Sequence, residues 1–379
     1  MPIGYLITVV LMAVLTFCAV AAPTPGRPRR SRLRHWLGFM INELPAIGLC
    51  WLLASTALAW SEGDLATPVG AAALALAVVT VLGLVLTAWR GTRAGTAVDR
   101  ALADGLPGPP APRGGRRPQV AASLFAPLAV RRSDVERVAD ISYGDAGRWN
   151  TLDVYRHRSR PSGCPTLVYM HGGGFRSGRK NREARLLLYR LASRGWVCIS
   201  ANYRLSPAAQ FPDHLVDVKR VIAWVGEAGH GYGADPSTLV VAGSSAGGNL
   251  AATAALTPND PRFQPGFEDA ETSVTAAVVL YAYYGNYHRG DSGQASSPIA
   301  YIRADAPPFF LAHGDRDMLV PVSTAREFVH RLSAVSTSPV VYAELPGAQD
   351  TFDLYRSIRF THVVDGIETF ADWTRTAEP

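Results

Sequence analysis

A serine in a glycine-rich turn is the first group in this chain whose surroundings suit nucleophilic chemistry. The stretch VVAGSSAGGN contains Gly243-Ser244-Ser245-Ala246-Gly247, which fits the pattern G-x-S-x-G. The apolar run STLVVAG before it predicts a strand, and the small-residue run NLAATAAL after it predicts a helix. A side chain in so sharp a turn points out of the sheet only where its neighbours are small, so Gly243 and Gly247 support the turn. We therefore predict that Ser245 is a nucleophile and that Ser244 packs beside it.

A second glycine-rich segment, VYMHGGGFRSG, also follows an apolar strand. Its spacing does not fit the phosphate-binding pattern G-x-x-x-x-G-K-[ST]. We interpret the segment as an oxyanion hole in which the backbone N–H groups of Gly173 and Gly174 join that of Ala246. Glycine allows the main chain to approach a developing negative oxygen without a side chain in the way. His171 and Gly172 are expected to support this loop.

The segments HGGGF and GSSAGGN, in this order, resemble the hormone-sensitive-lipase-like carboxylesterases of the α/β-hydrolase superfamily. The similarity covers roughly residues 138–376. It implies an α/β-hydrolase fold, ester hydrolysis through Ser245, and an acid within HGDRDMLVP. In that segment the resemblance points to Asp317, and Asp315 is the alternative that fits less well. The insertion from about 283 to 306 is expected to contribute to a cap over the substrate.

One position departs from the pattern of that family. Where related sequences carry the base histidine in a loop resembling PGAQHAFD, this chain reads PGAQDTFD, with Asp350 in its place. A carboxylate, with a reference pKa of about 3.9, is a weaker proton acceptor than an imidazole at about 6.5. One hypothesis is that Asp350 and Asp317 lie close together and share a proton, since two like charges raise one of the two pKa values.

A histidine from elsewhere in the chain is the other possible base. Of the nine histidines, His288 in the cap insertion is the one with an approach to Ser245 from above. His35 is assigned to a loop beside the membrane, and His362 to the last helix, away from the site.

Three functional hypotheses follow from these residues. The first is a membrane-anchored serine ester hydrolase whose activity is weakened by the missing histidine. The second is a non-hydrolytic enzyme that uses the same pocket. The third is a pseudoenzyme that binds an acyl ligand or a membrane partner. Ser245 and the HGGG segment favour the first two hypotheses, whereas Asp350 favours the third.

The elements that would position these residues alternate between strands and helices from about Val138 onward. RVADISYG and NTLDVYRH predict two strands joined by a turn, and near-continuous apolar runs such as PTLVYM predict strands buried on both faces. REARLLLYRLASRG has helical periodicity and ends in glycine. The pattern predicts an α/β domain over 138–379 with a mainly parallel sheet and an antiparallel start.

The first hundred residues predict a transmembrane anchor. The segments 3–22, 44–60 and 69–89 carry no charged residue, and each is close to the length that spans a bilayer. A signal peptide is the alternative for the first segment, but no positive residue precedes its apolar run. Residues 101–137 are expected to form a linker, since 101–118 are rich in proline, glycine and arginine.

Arginines flank these segments unevenly. Five of them fall between the first two segments, from Arg27 to Arg34, and Arg90, Arg93 and Arg100 follow the third. The loop between the second and third segments carries only Glu62 and Asp64. Positively charged flanks stay in the cytoplasm, so the hydrolase domain is expected on the cytoplasmic side of the cell membrane.

Composition agrees with a membrane protein. The chain is 48% hydrophobic and carries a net charge of +6, almost all of it from arginine beside apolar segments, which favours lipid rather than nucleic acid as a partner. The spacing of the four cysteines resembles neither a metal site nor a disulfide framework, so no metal or other cofactor is expected. The expected partners are a small-molecule or lipid acyl ester and the bilayer.

Overall fold

The computed structural model describes residues 3–21, 28–108, 123, 126–288 and 294–376. Of the linker expected over 101–137, residues 109–122, 124 and 125 lie outside the described residues, as do the cap residues 289–293.

One eight-stranded sheet organises the large domain, with the strand order β1-β2-β4-β3-β5-β6-β7-β8. The pairings of β1 with β2 and of β2 with β4 are antiparallel, and the other five are parallel. The predicted sheet, mainly parallel with an antiparallel start, is therefore confirmed. The strands are β1 Val135–Ser142, β2 Thr151–His157, β3 Cys164–Met170, β4 Val197–Ala201, β5 Ala234–Ser244, β6 Ala276–Leu280, β7 Phe309–Gly314 and β8 Val340–Leu345.

In the described part of the chain, four long helices precede this domain and five cover the sheet. Those at the N-terminus are α1 Ile3–Val20, α2 Pro28–Glu43, α3 Pro45–Ser61 and α4 Pro68–Gly105. The others are α5 Arg185–Ser193, α6 Asp213–Ala228, α7 Ala246–Leu256, α8 Val322–Val335 and α9 Ile358–Thr376.

Alternation along the strands places apolar side chains on both faces of the sheet. In β3, Leu167 and Tyr169 belong to one buried cluster, whereas Val168 and Met170 belong to the other. A parallel strand that is covered on both faces has to be apolar throughout, which is the pattern that the sequence showed.

The N-terminal helices agree only in part with the three membrane spans expected from the sequence. Helices α1 and α4 are long and apolar enough to cross a membrane. Helix α3 meets the same criteria only together with residues 31–43 of α2, and that pair is bent by 83°. The structure therefore offers two or three candidate spans. Helix α4 has 38 residues and starts where the Thr67 hydroxyl accepts the N–H of Gly70, an N-terminal cap.

The assignment of the arginine-rich segment to a loop is wrong. Its described residues from Pro28 onward form α2, which continues to Glu43. Glu43, the last residue of α2, is buried and pairs with the guanidinium of Arg359 on α9. A buried carboxylate needs such a partner, and the pair holds the bend between α2 and α3 against the large domain.

The C-terminal half of α4 also packs on the large domain. Val98 and Leu102 are fully buried in the same cluster as Phe310 of β7 and Val363 of α9. At Gly366 of α9 an added Cβ would lie 2.4 Å from a methyl group of Val98, so the two helices pack closely. The part of α4 that follows the third apolar segment is therefore part of the core of the hydrolase domain.

Candidate active site

Ser245 lies in the turn between β5 and α7, in a backbone conformation that only a strained turn gives. Its φ and ψ are 51° and −116°. Glycine is required at both flanking positions because any side chain would clash with the backbone. A Cβ on Gly247 would lie 2.1 Å from the carbonyl oxygen of Met170, and a Cβ on Gly243 would lie 2.2 Å from the carbonyl oxygen of Gly247. The strand-turn-helix context expected for a nucleophile elbow is therefore present.

The HGGG loop follows β3 at the same edge of the sheet. Gly173 and Gly174 have φ values of 123° and 61°, which suit glycine. In the described part of the chain, their N–H groups donate to no other residue. The N–H of Gly172 points elsewhere and donates to the Glu183 carboxylate at 2.5 Å. The loop therefore leaves two backbone donors free beside Ser245.

His171 packs against this loop and supports its conformation. Its ring stacks on Tyr203 with centroids 4.5 Å apart, and its Nδ1 lies 2.7 Å from the carbonyl oxygen of Gly172. Burial lowers the pKa of His171 to about 4, so the ring is neutral at neutral pH and Nδ1 carries the proton that it donates.

Asp317 follows β7 and is buried, whereas Asp315 is exposed. Oδ1 of Asp317 accepts the N–H groups of Leu319 and Val320, both at 2.7 Å. Oδ2 lies 3.4 Å from Nε2 of His313 and has no hydrogen-bond partner among the described residues. The hydrogen bonds of Oδ1 thus hold the Asp317 carboxylate in place, while Oδ2 makes no hydrogen bond to the described residues.

Asp350 follows β8, and its carboxyl lies close enough to the Ser245 hydroxyl for the two side chains to interact. Its side chain is buried close to the charge of Asp317. Burial, and then the charges of Asp317 and Glu183, raise the pKa of Asp350 well above its usual range. The residue in the base position therefore holds its own proton to a higher pH than an ordinary aspartate does.

Two further buried carboxyls belong to this site and were missed from the sequence. Burial and the charge of Asp353 raise the pKa of Glu183 to about 7. Asp353 accepts the hydroxyl of Ser244 at 2.6 Å, that of Tyr169 at 3.0 Å, and that of Tyr281. Ser244 therefore faces a buried hydrogen-bond network below the turn. No sequence motif marked Glu183, and the PGAQDTFD segment contains Asp353 without indicating its role, because the burial of both carboxyls depends on loops that are distant in sequence.

Ser245 and Asp350 open onto a cavity of about 410 Å³. Its walls combine aromatic and aliphatic side chains with two arginines. The lining residues are Arg32, Trp36, Gly173, Gly174, Phe175, Ser177, Arg182, Glu183, Ser245, Ala246, Tyr283, Met318, Leu319, Val320, Asp350 and Thr351.

Helix α2 is therefore part of the active-site wall, which the sequence did not indicate. Arg32 and Trp36 line the cavity, and Phe39 stacks on Tyr355 of the loop after Asp350, with ring centroids 6.1 Å apart. His35 is completely buried on the same helix. The ring of His288, which was considered from the sequence, lies 6.4 Å from that of Phe211, and His288 is not among the described residues that line this cavity.

Comparison with known proteins identifies the class. The family model described as BD-FAE matches residues 152–286 and 284–332. A carbohydrate esterase from gut microbiota superposes with a TM-score of 0.56 at 20% identity, covering 66% of this chain and 99% of that one. Esterase 2 of Thermogutta terrifontis, bound to butyrate, gives a TM-score of 0.55 at 22% identity, covering 65% and 96%. Together they show the α/β-hydrolase fold.

Sequence relatives define the family more narrowly. The probable carboxylic ester hydrolase LipM of Mycobacterium tuberculosis is 38% identical over 400 aligned positions, which cover 95% of this chain and 91% of LipM. Esterase LipQ of the same organism is 39% identical over 259 positions, or 62% of each chain. The chain therefore belongs to the hormone-sensitive-lipase-like esterases of the α/β-hydrolase superfamily and is a carboxylic ester hydrolase.

Proposed function

We propose that this protein is a membrane-anchored serine hydrolase that cleaves acyl esters through Ser245. The observation that carries the proposal is the Ser245 turn, which opens onto a cavity between unpaired backbone N–H groups and the buried Asp350 carboxyl. Asp350 and Asp317 form the proton-transfer side of the site, in the place where the family has its histidine and acid.

In the proposed reaction, Oγ of Ser245 attacks the acyl carbon while its proton passes to Asp350 in its ionised, carboxylate form. The carbonyl electron pair moves to the oxygen, which the N–H groups of Gly173, Gly174 and Ala246 stabilise. The tetrahedral intermediate collapses, and the alcohol leaves with the proton from Asp350. Water then attacks the acyl-enzyme in the same way and releases the acid.

An apolar acyl chain suits the walls of the cavity. Trp36, Phe175 and Met318 offer aromatic and aliphatic surface beside Ser245. Trp36 belongs to α2, which continues through the bend into the apolar helix α3. We infer that the substrates are lipid or other apolar acyl esters that reach the site from the side of the bilayer.

Two serine variants test the chemistry. Full-length protein in detergent is assayed with short-chain nitrophenyl esters and a fluorophosphonate probe. Ser245→Ala is expected to lower kcat/KM by at least about 1,000-fold and to abolish labelling. The matched control Ser244→Ala keeps most of the activity. Equal loss in both variants would reject the nucleophile assignment, and failure of the wild type to label or turn over would support a ligand-binding role.

The proposed topology has the hydrolase domain in the cytoplasm. Arg90, Arg93 and Arg100 after the third apolar segment favour this side. Protease added to intact cells is expected to leave the domain whole, whereas inverted vesicles expose it to cleavage. Cleavage from outside the cell would overturn this orientation.

A further inference from the structure

The cavity at Ser245 is lined by two arginines from different parts of the chain. Arg32 lies on α2 and Arg182 on the loop between β3 and α5, and both belong to the cavity wall. Arg32 is exposed, and 34% of the Arg182 side chain is exposed. The two carboxyls of the same wall, Glu183 and Asp350, are buried. The positive charges therefore lie at the mouth of the cavity, and the acidic groups lie at its bottom.

The charges of these two arginines are poorly compensated. Among the described residues, Arg32 forms no ion pair. Arg182 comes no closer than 3.9 Å to a described carboxylate, Oε1 of Glu183, which is beyond hydrogen-bond distance. The other oxygen of Glu183 accepts the N–H of Gly172 at 2.5 Å. Two guanidiniums in this state make the cavity mouth attractive to an anion.

Arginines elsewhere in the domain are paired more closely. The side chain of Arg204 is 32% exposed, and its Nη2 lies 2.9 Å from Oδ1 of Asp217. The exposed Arg326 donates two hydrogen bonds to the carboxylate of Glu344, at 2.8 and 2.6 Å. Solvent exposure alone therefore does not leave an arginine of this domain without a close carboxylate.

The inner part of the cavity is apolar. Phe175 and Met318 are buried and line it together with Ser245. Trp36, which is 51% exposed, adds aromatic surface nearer the mouth. A ligand that matches both parts carries an acyl chain on one side of its ester and an anion on the other.

A phosphate monoester is the anion that suits two guanidiniums best. It carries about 1.5 to 2 negative charges at pH 7 and three strong acceptor oxygens. A carboxylate carries one charge and two oxygens. The planar guanidinium binds phosphate through two parallel N–H donors, so two arginines from separate elements can hold one phosphate between them.

We propose that Arg32 and Arg182 form a phosphate-binding subsite, and that this hydrolase acts on acyl esters whose alcohol half carries a phosphate monoester, such as an acylglycerol phosphate. The inference rests on the proposed function of Ser245. The phosphate of the substrate lies at the cavity mouth, its carbonyl carbon beside Oγ of Ser245, and its acyl chain against Phe175 and Met318. The acyl C–O bond breaks, the acyl carbon gains the hydroxyl of water, and the phosphorylated alcohol leaves with the remaining proton.

Two substrates that differ only in the phosphate test this subsite. Full-length protein in a neutral detergent is assayed with decanoylglycerol and with its phosphate monoester, and the release of decanoic acid is measured by mass spectrometry. The wild-type kcat/KM for the phosphate ester is expected to exceed that for decanoylglycerol by at least about tenfold, the effect of one hydrogen bond to a charged group. Equal values for the two esters would overturn the proposal.

The ratio of the two kcat/KM values also tests the residues, because a general loss of activity cancels in it. Arg32→Gln and Arg182→Gln should each lower the ratio by about threefold or more, and the double variant should bring it within about twofold of one. Fluorophosphonate labelling of each variant shows whether the Ser245 site is intact. A labelled double variant that keeps the wild-type ratio would overturn the proposal.

Arg93→Gln is the matched control for charge beside the membrane. Arg93 is exposed, and its guanidinium lies 4.8 Å from the ring centroid of Trp89. It is not among the described residues that line the cavity, so its loss should leave the ratio as in the wild type. If Arg93→Gln lowers the ratio as much as the double variant does, surface charge explains the preference and the subsite is rejected.

Inorganic phosphate distinguishes a subsite for a lipid headgroup from a site for free phosphate. At millimolar concentration and constant ionic strength, it should slow hydrolysis of the phosphate ester less than about twofold, because it lacks the acyl chain that contributes to binding. Strong competition would overturn the assignment to a lipid. If neither ester is hydrolysed and the wild type does not label, the proposed function fails and the subsite with it. Equal hydrolysis of both esters rejects the subsite alone.

Discussion

The proposed nucleophile side and the proposed proton-transfer side of this site are built in different ways. Ser245 and the HGGG loop come from two short segments, and their geometry depends on backbone turns. Asp350 and Asp317 come from two loops that a helix and a strand separate in sequence, and their chemistry depends on burial and charge. A side built from local turns is rigid and can be recognised from a motif. In a side built from tertiary contacts, the residues can be replaced while their place in the fold is kept.

The largest effect is expected from a change in the backbone of the nucleophile side. A Cβ on Gly173 would lie 2.0 Å from the carbonyl oxygen of Ser177, whereas one on Gly174 would have no atom within 4 Å. Gly173→Ala should therefore displace the oxyanion donors and lower kcat/KM by about 100- to 1,000-fold. Gly174→Ala keeps its N–H and should cost less than about tenfold. Steady-state hydrolysis of a nitrophenyl ester measures both, and equal losses would show that the donors do not depend on this backbone.

A gain of activity is expected on the other side. Asp350→His should place an imidazole between Ser245 and the free Oδ2 of Asp317, and imidazole is the better base near neutral pH. We expect kcat/KM at pH 7 to 8 to rise by about 100-fold. Asp372→His, an exposed change on α9, is the control that adds a histidine away from the site. If Asp350→His is slower than the wild type, this side is more rigid than the comparison implies.

The smallest expected effect is a change in stability at Glu183, a residue that connects the two sides of the site. Glu183 accepts the N–H of Gly172 in the oxyanion loop, and its pKa is raised to about 7 by burial and by Asp353. A carboxyl with a raised pKa favours the folded state below about pH 4.5, and this contribution is lost as the pH rises through about 7. Glu183→Gln mimics the protonated form, so it should reduce the fall in melting temperature between pH 5 and 8.

Thermal unfolding of full-length protein in detergent at several pH values measures this effect. The exposed Glu227→Gln on α6 is the control and should keep the pH dependence of the wild type. A Glu183→Gln protein with that same dependence would mean that Glu183 does not titrate in the folded state over this range.

The sequence was sufficient wherever a local pattern decides the structure. Apolar runs predicted the strands and the candidate spans, because a parallel strand covered on both faces has to be apolar throughout. The G-x-S-x-G pattern predicted the turn at Ser245, because glycine alone fits where a Cβ would lie 2.1 Å from the carbonyl oxygen of Met170. The placement of Asp350 in a loop also followed from the resemblance of PGAQDTFD to the histidine loop of the family.

Only the tertiary structure decided what surrounds those residues. The helix α2 was not recognised from the sequence, because the arginines of the segment 28–34 make its mean hydropathy low. Its packing partners are the loop that contains Gln349 and helix α9, and both are distant in sequence. His35 was assigned to a loop for the same reason, although 314 residues of chain separate it from the Gln349 side chain that it contacts. The protonation of Asp350 and Glu183 likewise depends on burial and on neighbouring charges, which no local spacing encodes. Local backbone preferences thus determined where Ser245 lies, and long-range packing determined which titratable groups lie near it.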